Sequence, residues 1–130
     1  MISLVKPYIA PSNEMMPAIE EILYSGYIAT GQAVYDFEDM FCNYIGNPLS
    51  LSLHSGTDAL HIALILAGVK PGDEVIVQSF TFCASSHPIT YLGAKPVFVD
   101  SEMNTWNMDP EALEKAFEIY PDTKVVVIAH

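Results

Sequence analysis

Four consecutive residues, Ser55-Gly56-Thr57-Asp58, have the types and spacing to hold an anion. They stand between a stretch of alternating character and a stretch of helical spacing. A tight turn from strand to helix aims backbone N–H groups and the positive end of the helix dipole at one spot. Gly56 lets the backbone approach a ligand closely, and Thr57 adds a hydroxyl donor. Ser, Thr and Asp are also ordinary helix N-caps, so a capped corner without a ligand satisfies the same residues. About two dozen residues on, Ser79-Phe80-Thr81-Phe82 supplies two aromatic rings at the end of an apolar run. An anion-binding turn beside an aromatic residue suits a phosphorylated aromatic cofactor, whose ring stacks on Phe80 or Phe82. Core packing is the commoner use of both phenylalanines.

Placing these groups requires strands and helices in alternation. Leu49, Leu51 and Leu53 alternate with Ser50, Ser52 and His54, which predicts a short strand. Leu60, Ala63, Leu64 and Ala67 recur at helical spacing, and Gly68 closes that helix as a C-cap candidate. Upstream, residues 1–12 read as an extended lead punctuated by Pro7 and Pro11. Ser12 caps a helix over about 13–24, ended by Ser25-Gly26, and Tyr27–Gly31 is a loop. A second helix over about 34–45 places Val34, Phe37, Met40, Phe41 and Tyr44 on one face, and Gly46-Asn47-Pro48 stops it. Downstream, Glu74–Gln78 reads as a buried strand and 84–92 as a short helix with Pro88 in its first turns. Residues 97–100 read as a third strand, Asp109-Pro110-Glu111 opens a helix to about Tyr120, and 125–129 read as a fourth strand.

Strands that are continuous apolar runs and alternate with helices predict an α/β protein with a parallel sheet covered on both faces. Ligands of such sheets bind outside the carboxyl ends of the strands. Ser55–Asp58, Ser79–Phe82 and Asp100 all fall there. An apolar strand without a following helix leads to the expectation that the chain is the N-terminal portion of a larger domain.

At 130 residues, 51% apolar and 16% charged, the chain fits one globular domain. Five lysines, no arginine and sixteen acids give a net charge of −11, which leaves no basic footprint for nucleic acid. No apolar run spans a bilayer, and the N-terminus lacks the pattern of a secretory signal. Cys42 and Cys83 are isolated, without metal spacing, and a cytoplasmic protein keeps them reduced. His54 and His61 read as structural or surface residues. Asp100 reads as a ligand contact or a turn residue, Asp109 as an N-cap, and Trp106 as a loop anchor or an interface residue.

Seven stretches then occur in order: Gly-Tyr-Ile-Ala-Thr-Gly at 26–31, Phe37-Glu-Asp-Met-Phe, Ser55-Gly-Thr-Asp-Ala-Leu, Pro71-Gly-Asp-Glu-Val-Ile, Thr81-Phe82, Gly93-Ala-Lys-Pro-Val-Phe-Val-Asp100 and Asn107-Met-Asp-Pro. Together they resemble the N-terminal part of the DegT/DnrJ/EryC1/StrS family of sugar aminotransferases, over nearly the whole chain. The resemblance implies a pyridoxal 5'-phosphate (PLP) enzyme with a parallel-sheet, aspartate aminotransferase-like major domain (PLP fold type I). Residues 1–48 would be its N-terminal helical lead and 49–130 the βα units of its sheet. It implies transfer of an amino group from an amino acid, glutamate, to a nucleotide-linked keto-sugar, in polysaccharide biosynthesis, by a cytoplasmic homodimer. It maps the cofactor phosphate onto Gly56, Thr57 and the amide of Asp58, and the stacking ring onto Phe82. Tyr27 and Thr30 map onto a substrate-side segment. The sequence departs from the family at His87 and Pro88, where Asn and Ala are usual. The family's aspartate for the pyridine nitrogen and its cofactor-bearing lysine map beyond His130. None of Lys6, Lys70, Lys95, Lys115 and Lys124 stands at that lysine's position, so no catalytic residue is assigned and residues 1–130 alone are expected to be inactive. Two other readings remain open: a fold type I enzyme acting on amino acids, and a non-catalytic cofactor-binding or dimerisation module.

Overall fold

The computed structural model describes residues 11–129. The lead expected over 1–12 therefore lies outside the described residues, apart from Pro11 and Ser12. The chain divides into two units, Met1–Ser52 and Leu53–His130.

The first unit contains α1 (Ser12–Ser25) and α2 (Gln32–Ile45). The expected Ser12 cap is corrected by one position. Pro11 is the N-cap, in extended geometry at φ −53 and ψ 138, and its carbonyl accepts from Glu14 N and Met15 N. Ser12 is already helical, so its side chain is past the point where a cap forms. Gly26 and Gly46 end the two helices with φ of 76 and 68, a left-handed turn that costs glycine little. Pro17 lies inside α1, beyond its first turn, where it withdraws one intrahelical donor. Ser52 N and Ser52 Oγ donate to Glu38 Oε1 at 2.7 and 2.8 Å. These two bonds, the backbone one first, hold the Glu38 carboxyl below the usual carboxylate range.

The second unit is built on a three-stranded parallel sheet of order β2-β1-β3, with β1 at Glu74–Gln78, β2 at Lys95–Val99 and β3 at Val126–Val127. The registers pair Ile76 with Val97 on one side and with Val126 on the other. Around the sheet lie α3 (Gly56–Leu66), α4 (His87–Tyr91) and α5 (Pro110–Ile119). Because β1 is apolar on both faces, it serves two cores. Val75 and Val77 pack with Leu64 of α3 and Ile89 of α4, while Ile76 packs with Met108 and with Ala116 of α5. The crossover from β1 to β2 therefore lies on one face and the return from β2 to β3 on the other. That arrangement follows when right-handed crossovers reverse direction across a sheet.

Three expectations are corrected here. Leu49–Leu53 is not a strand. A strand needs a ladder partner, and among the described residues this segment has none, so Leu49 and Leu51 stay exposed. Residues 84–92 are not one helix: Cys83–Ser85 is a 3₁₀ turn and α4 starts at His87, with Pro88 as an early residue that needs no helical N–H. The last strand holds two paired residues rather than 125–129. Two local signals, the start of α5 and the end of α3, lie where expected. Asp109 caps α5 and accepts from Glu111 N at 2.8 Å and Ala112 N at 3.4 Å. Gly68, with φ 82, follows the C-cap Ala67, and its N–H with that of Val69 satisfies Ile65 O and Leu64 O.

Candidate functional site

An 11-residue α3 and a five-residue β1 each span about 16 Å. They are joined by the short turn that ends at Asp73, so α3 runs back along β1. Its N-terminus therefore comes level with the carboxyl end of the sheet, where Ser79–Phe82 leaves β1 and Asp100 leaves β2.

At that N-terminus Ser55 is the cap. Its Oγ accepts from Asp58 N at 3.2 Å and donates to Asp58 Oδ2 at 2.9 Å. The Asp58 amide is thus engaged within the turn, whereas the amides of Gly56 and Thr57 meet no acceptor among the described residues. A Cβ built on Gly56 would meet nothing within 4 Å, so the space beside the Gly56 backbone is open. Thr57 is half-buried and Asp58 exposed. Two unbonded donors and a hydroxyl at the positive end of a helix have the chemistry that suits an anion.

Phe82 is 78% exposed and precedes the 3₁₀ turn, with its carbonyl accepting from Ser85 N at 2.9 Å. That turn packs against α3. Phe80 is differently employed: its ring lies 5.1 Å from that of Trp106. Trp106 is a loop anchor, since its N–H donates to Glu102 O and its φ is 63. Asp100 acts as a turn residue whose carboxylate accepts from Ser101 N at 2.8 Å. In the same loop the Thr105 hydroxyl, then the N–H groups of Asn104 and Thr105, hold the Glu102 carboxyl below its usual range. Tyr27 and Thr30 belong to the first unit, in the turn between α1 and α2. There Gly31 is needed because a Cβ on it would come 2.9 Å from Tyr27 Cβ. Gln78, 2% exposed at the end of β1, is a buried polar residue that no motif singles out. A polar residue directly after the apolar run Val75–Val77 is the available signal.

The parallel sheet with helices on both faces matches the N-terminal portion of PLP fold type I sugar aminotransferases. The chain belongs to the DegT/DnrJ/EryC1/StrS aminotransferase family, whose profile matches residues 10–130. It is 41% identical over 109 residues to the UDP-2-acetamido-2-deoxy-3-oxo-D-glucuronate aminotransferase of Pseudomonas aeruginosa, covering 84% of this chain and 30% of that protein. It is 42% identical over 102 residues to the GDP-perosamine synthase of Caulobacter vibrioides, covering 78% and 27%. A Streptococcus pneumoniae protein assigned as a sugar aminotransferase, solved in its PLP form, superposes with a TM-score of 0.83 at 37% identity, covering 96% of this chain and 31% of that one. The chain thus spans under a third of the length of these relatives. Aminotransferases of the family depend on PLP. The residues present fit that group: unbonded amides at Gly56 and Thr57 suit its phosphate, and the uncovered ring of Phe82 suits its heterocycle.

Proposed function

We propose that the protein containing this chain transfers an amino group from glutamate to the ketone of a nucleotide-linked sugar. The observation that carries the reading is the pairing of two unbonded amides at the α3 N-terminus with an uncovered ring at the next strand end, in a chain of this family. The names of two relatives, one acting on a UDP-linked oxo-sugar and one making a GDP-linked aminosugar, support the substrate class. PLP, when bound, supplies a carbonyl that takes up amino groups and a ring that draws off electrons. Gly56, Thr57 and the amide of Asp58 bind the phosphate, the last by exchanging its bond to Ser55 Oγ. Phe82 orients the ring by stacking. Tyr27 and Thr30 contact the sugar substrate.

In this reading residues 1–130 form the first part of one major domain, with 1–48 as a helical lead and 49–130 as βα units. Alone they turn over no substrate, because the amine that carries the cofactor lies outside them. The active form is a cytoplasmic homodimer. Phe37, Met40, Phe41 and Tyr44 of α2 are between 44% and 88% exposed, an apolar face of the kind that subunit contacts cover. The absence of arginine means the nucleotide phosphates are met by cations from elsewhere in the assembly.

The test supplies the whole protein with PLP, glutamate and a UDP-linked keto-sugar. Expected are 2-oxoglutarate and aminosugar in equal amounts. Turnover confined to amino-acid and keto-acid pairs would instead favour the amino-acid enzyme, and PLP binding without any turnover the non-catalytic module.

A further inference from the structure

Gln78 and Thr123 are the two buried polar residues among those described. An amide closing an apolar strand is costly to bury unless it is bonded. Gln78 Nε2 lies 2.8 Å from Trp106 O, 3.2 Å from Phe80 O and 3.1 Å from Ser101 Oγ. Swapping the amide would set its oxygen against two carbonyl oxygens, so the donor orientation follows from the network. The two carbonyls belong to different loops, one leaving β1 and one leaving β2. Outside this tie, the rings of Phe80 and Trp106 pair, and Trp106 keeps a left-handed backbone that a non-glycine residue holds only when its surroundings over-determine it. The constraint continues along the chain, for Ser79 N donates to Val99 O at 2.8 Å and Thr81 Oγ1 lies 3.0 Å from Ser85 Oγ. Phe82 stands between those last two residues.

We infer that Gln78 is a positioning residue whose buried amide ties the loop carrying Phe82 to the loop carrying Trp106 and so sets the angle of the ring that meets the cofactor. This rests on the function proposed above. Gln78 touches no ligand; it acts through Phe80 and the backbone of the loop.

The test uses the whole protein and two variants. Gln78→Met keeps length and volume but donates nothing, and Gln78→Glu, when ionised, sets a carboxylate against the two carbonyls. The readouts are the dissociation constant for PLP and the circular dichroism of the bound cofactor. Both variants should bind about fivefold more weakly, the net effect of losing about one hydrogen bond, and the cofactor band should shrink because the ring is less firmly oriented. Gln78→Glu keeps the question answerable if Gln78→Met fails to fold. A folded variant whose affinity and cofactor dichroism both match the wild type would overturn the role of Gln78. A wild-type protein that takes up no PLP would overturn the function itself.

Discussion

The two phenylalanines at the end of β1 should respond to truncation in opposite ways. Phe82 is 78% exposed, so its ring contributes little to folding. Phe82→Ala should leave thermal stability nearly unchanged and remove the stacking of a bound heterocycle. Stacking is worth about 0.5–1.5 kcal/mol beyond burial, or roughly two- to twelvefold in the dissociation constant for PLP. Phe80 is 64% exposed, with its ring 5.1 Å from Trp106, so Phe80→Ala should lose that aromatic pair from the folded state. The same magnitude, about 0.5–1.5 kcal/mol, then appears in urea unfolding, with a smaller effect on affinity. Titration of PLP by absorbance and urea denaturation of the whole protein separate the two. Equal weakening of affinity by both truncations, or none by Phe82→Ala, would refute the assignment of the stacking ring.

Thr57→Ala should raise the dissociation constant for PLP by about ten- to a hundredfold, the range for a charged hydrogen bond, and an unchanged titration would remove Thr57 from the phosphate site. Asp109→Ala strips two N–H groups of their acceptor at the start of α5. It should cost about 0.5–2 kcal/mol, read as a lower urea midpoint at constant slope. Because Glu38 is held below the usual carboxylate range, its bonds to Ser52 stabilise the fold above the unfolded pKa and are lost as pH falls through the folded one. The Ser52 amide resonance should therefore titrate with a midpoint below that of an unperturbed glutamate, and a midpoint at or above it would contradict the geometry.

Local signals carried far in this sequence. Asp109 before Pro110, Gly68 after a helical run and the apolar stretch 75–77 each specify their structure within a few residues, so the elements they govern lie near where they were expected. The segment at Leu49–Leu53 shows the limit. Alternation records which side chains could share a face, but pairing decides whether a strand exists. Ser52 meets Glu38 fourteen positions away, and Gln78 meets Trp106 twenty-eight away. Neither spacing carries a period. The capped turn could be read because its four residues are contiguous, whereas the bonds of Gln78 to Phe80 O and Trp106 O join loops that the fold alone brings together.

The two margins of the sheet differ in a way that gives it a direction. Lys95 N donates inward to Asp73 O, so the next backbone nitrogen, that of Pro96, faces outward and has no hydrogen to offer. With Lys95 beside it 70% exposed, β2 presents a margin that discourages any further strand. On the opposite margin Val126, Val127 and Ile128 carry neither charge nor proline. The sheet is therefore a template that elongates one way only: a strand recruited from the same chain or from another molecule finds its ladder beside β3, and β2 acts as the terminus.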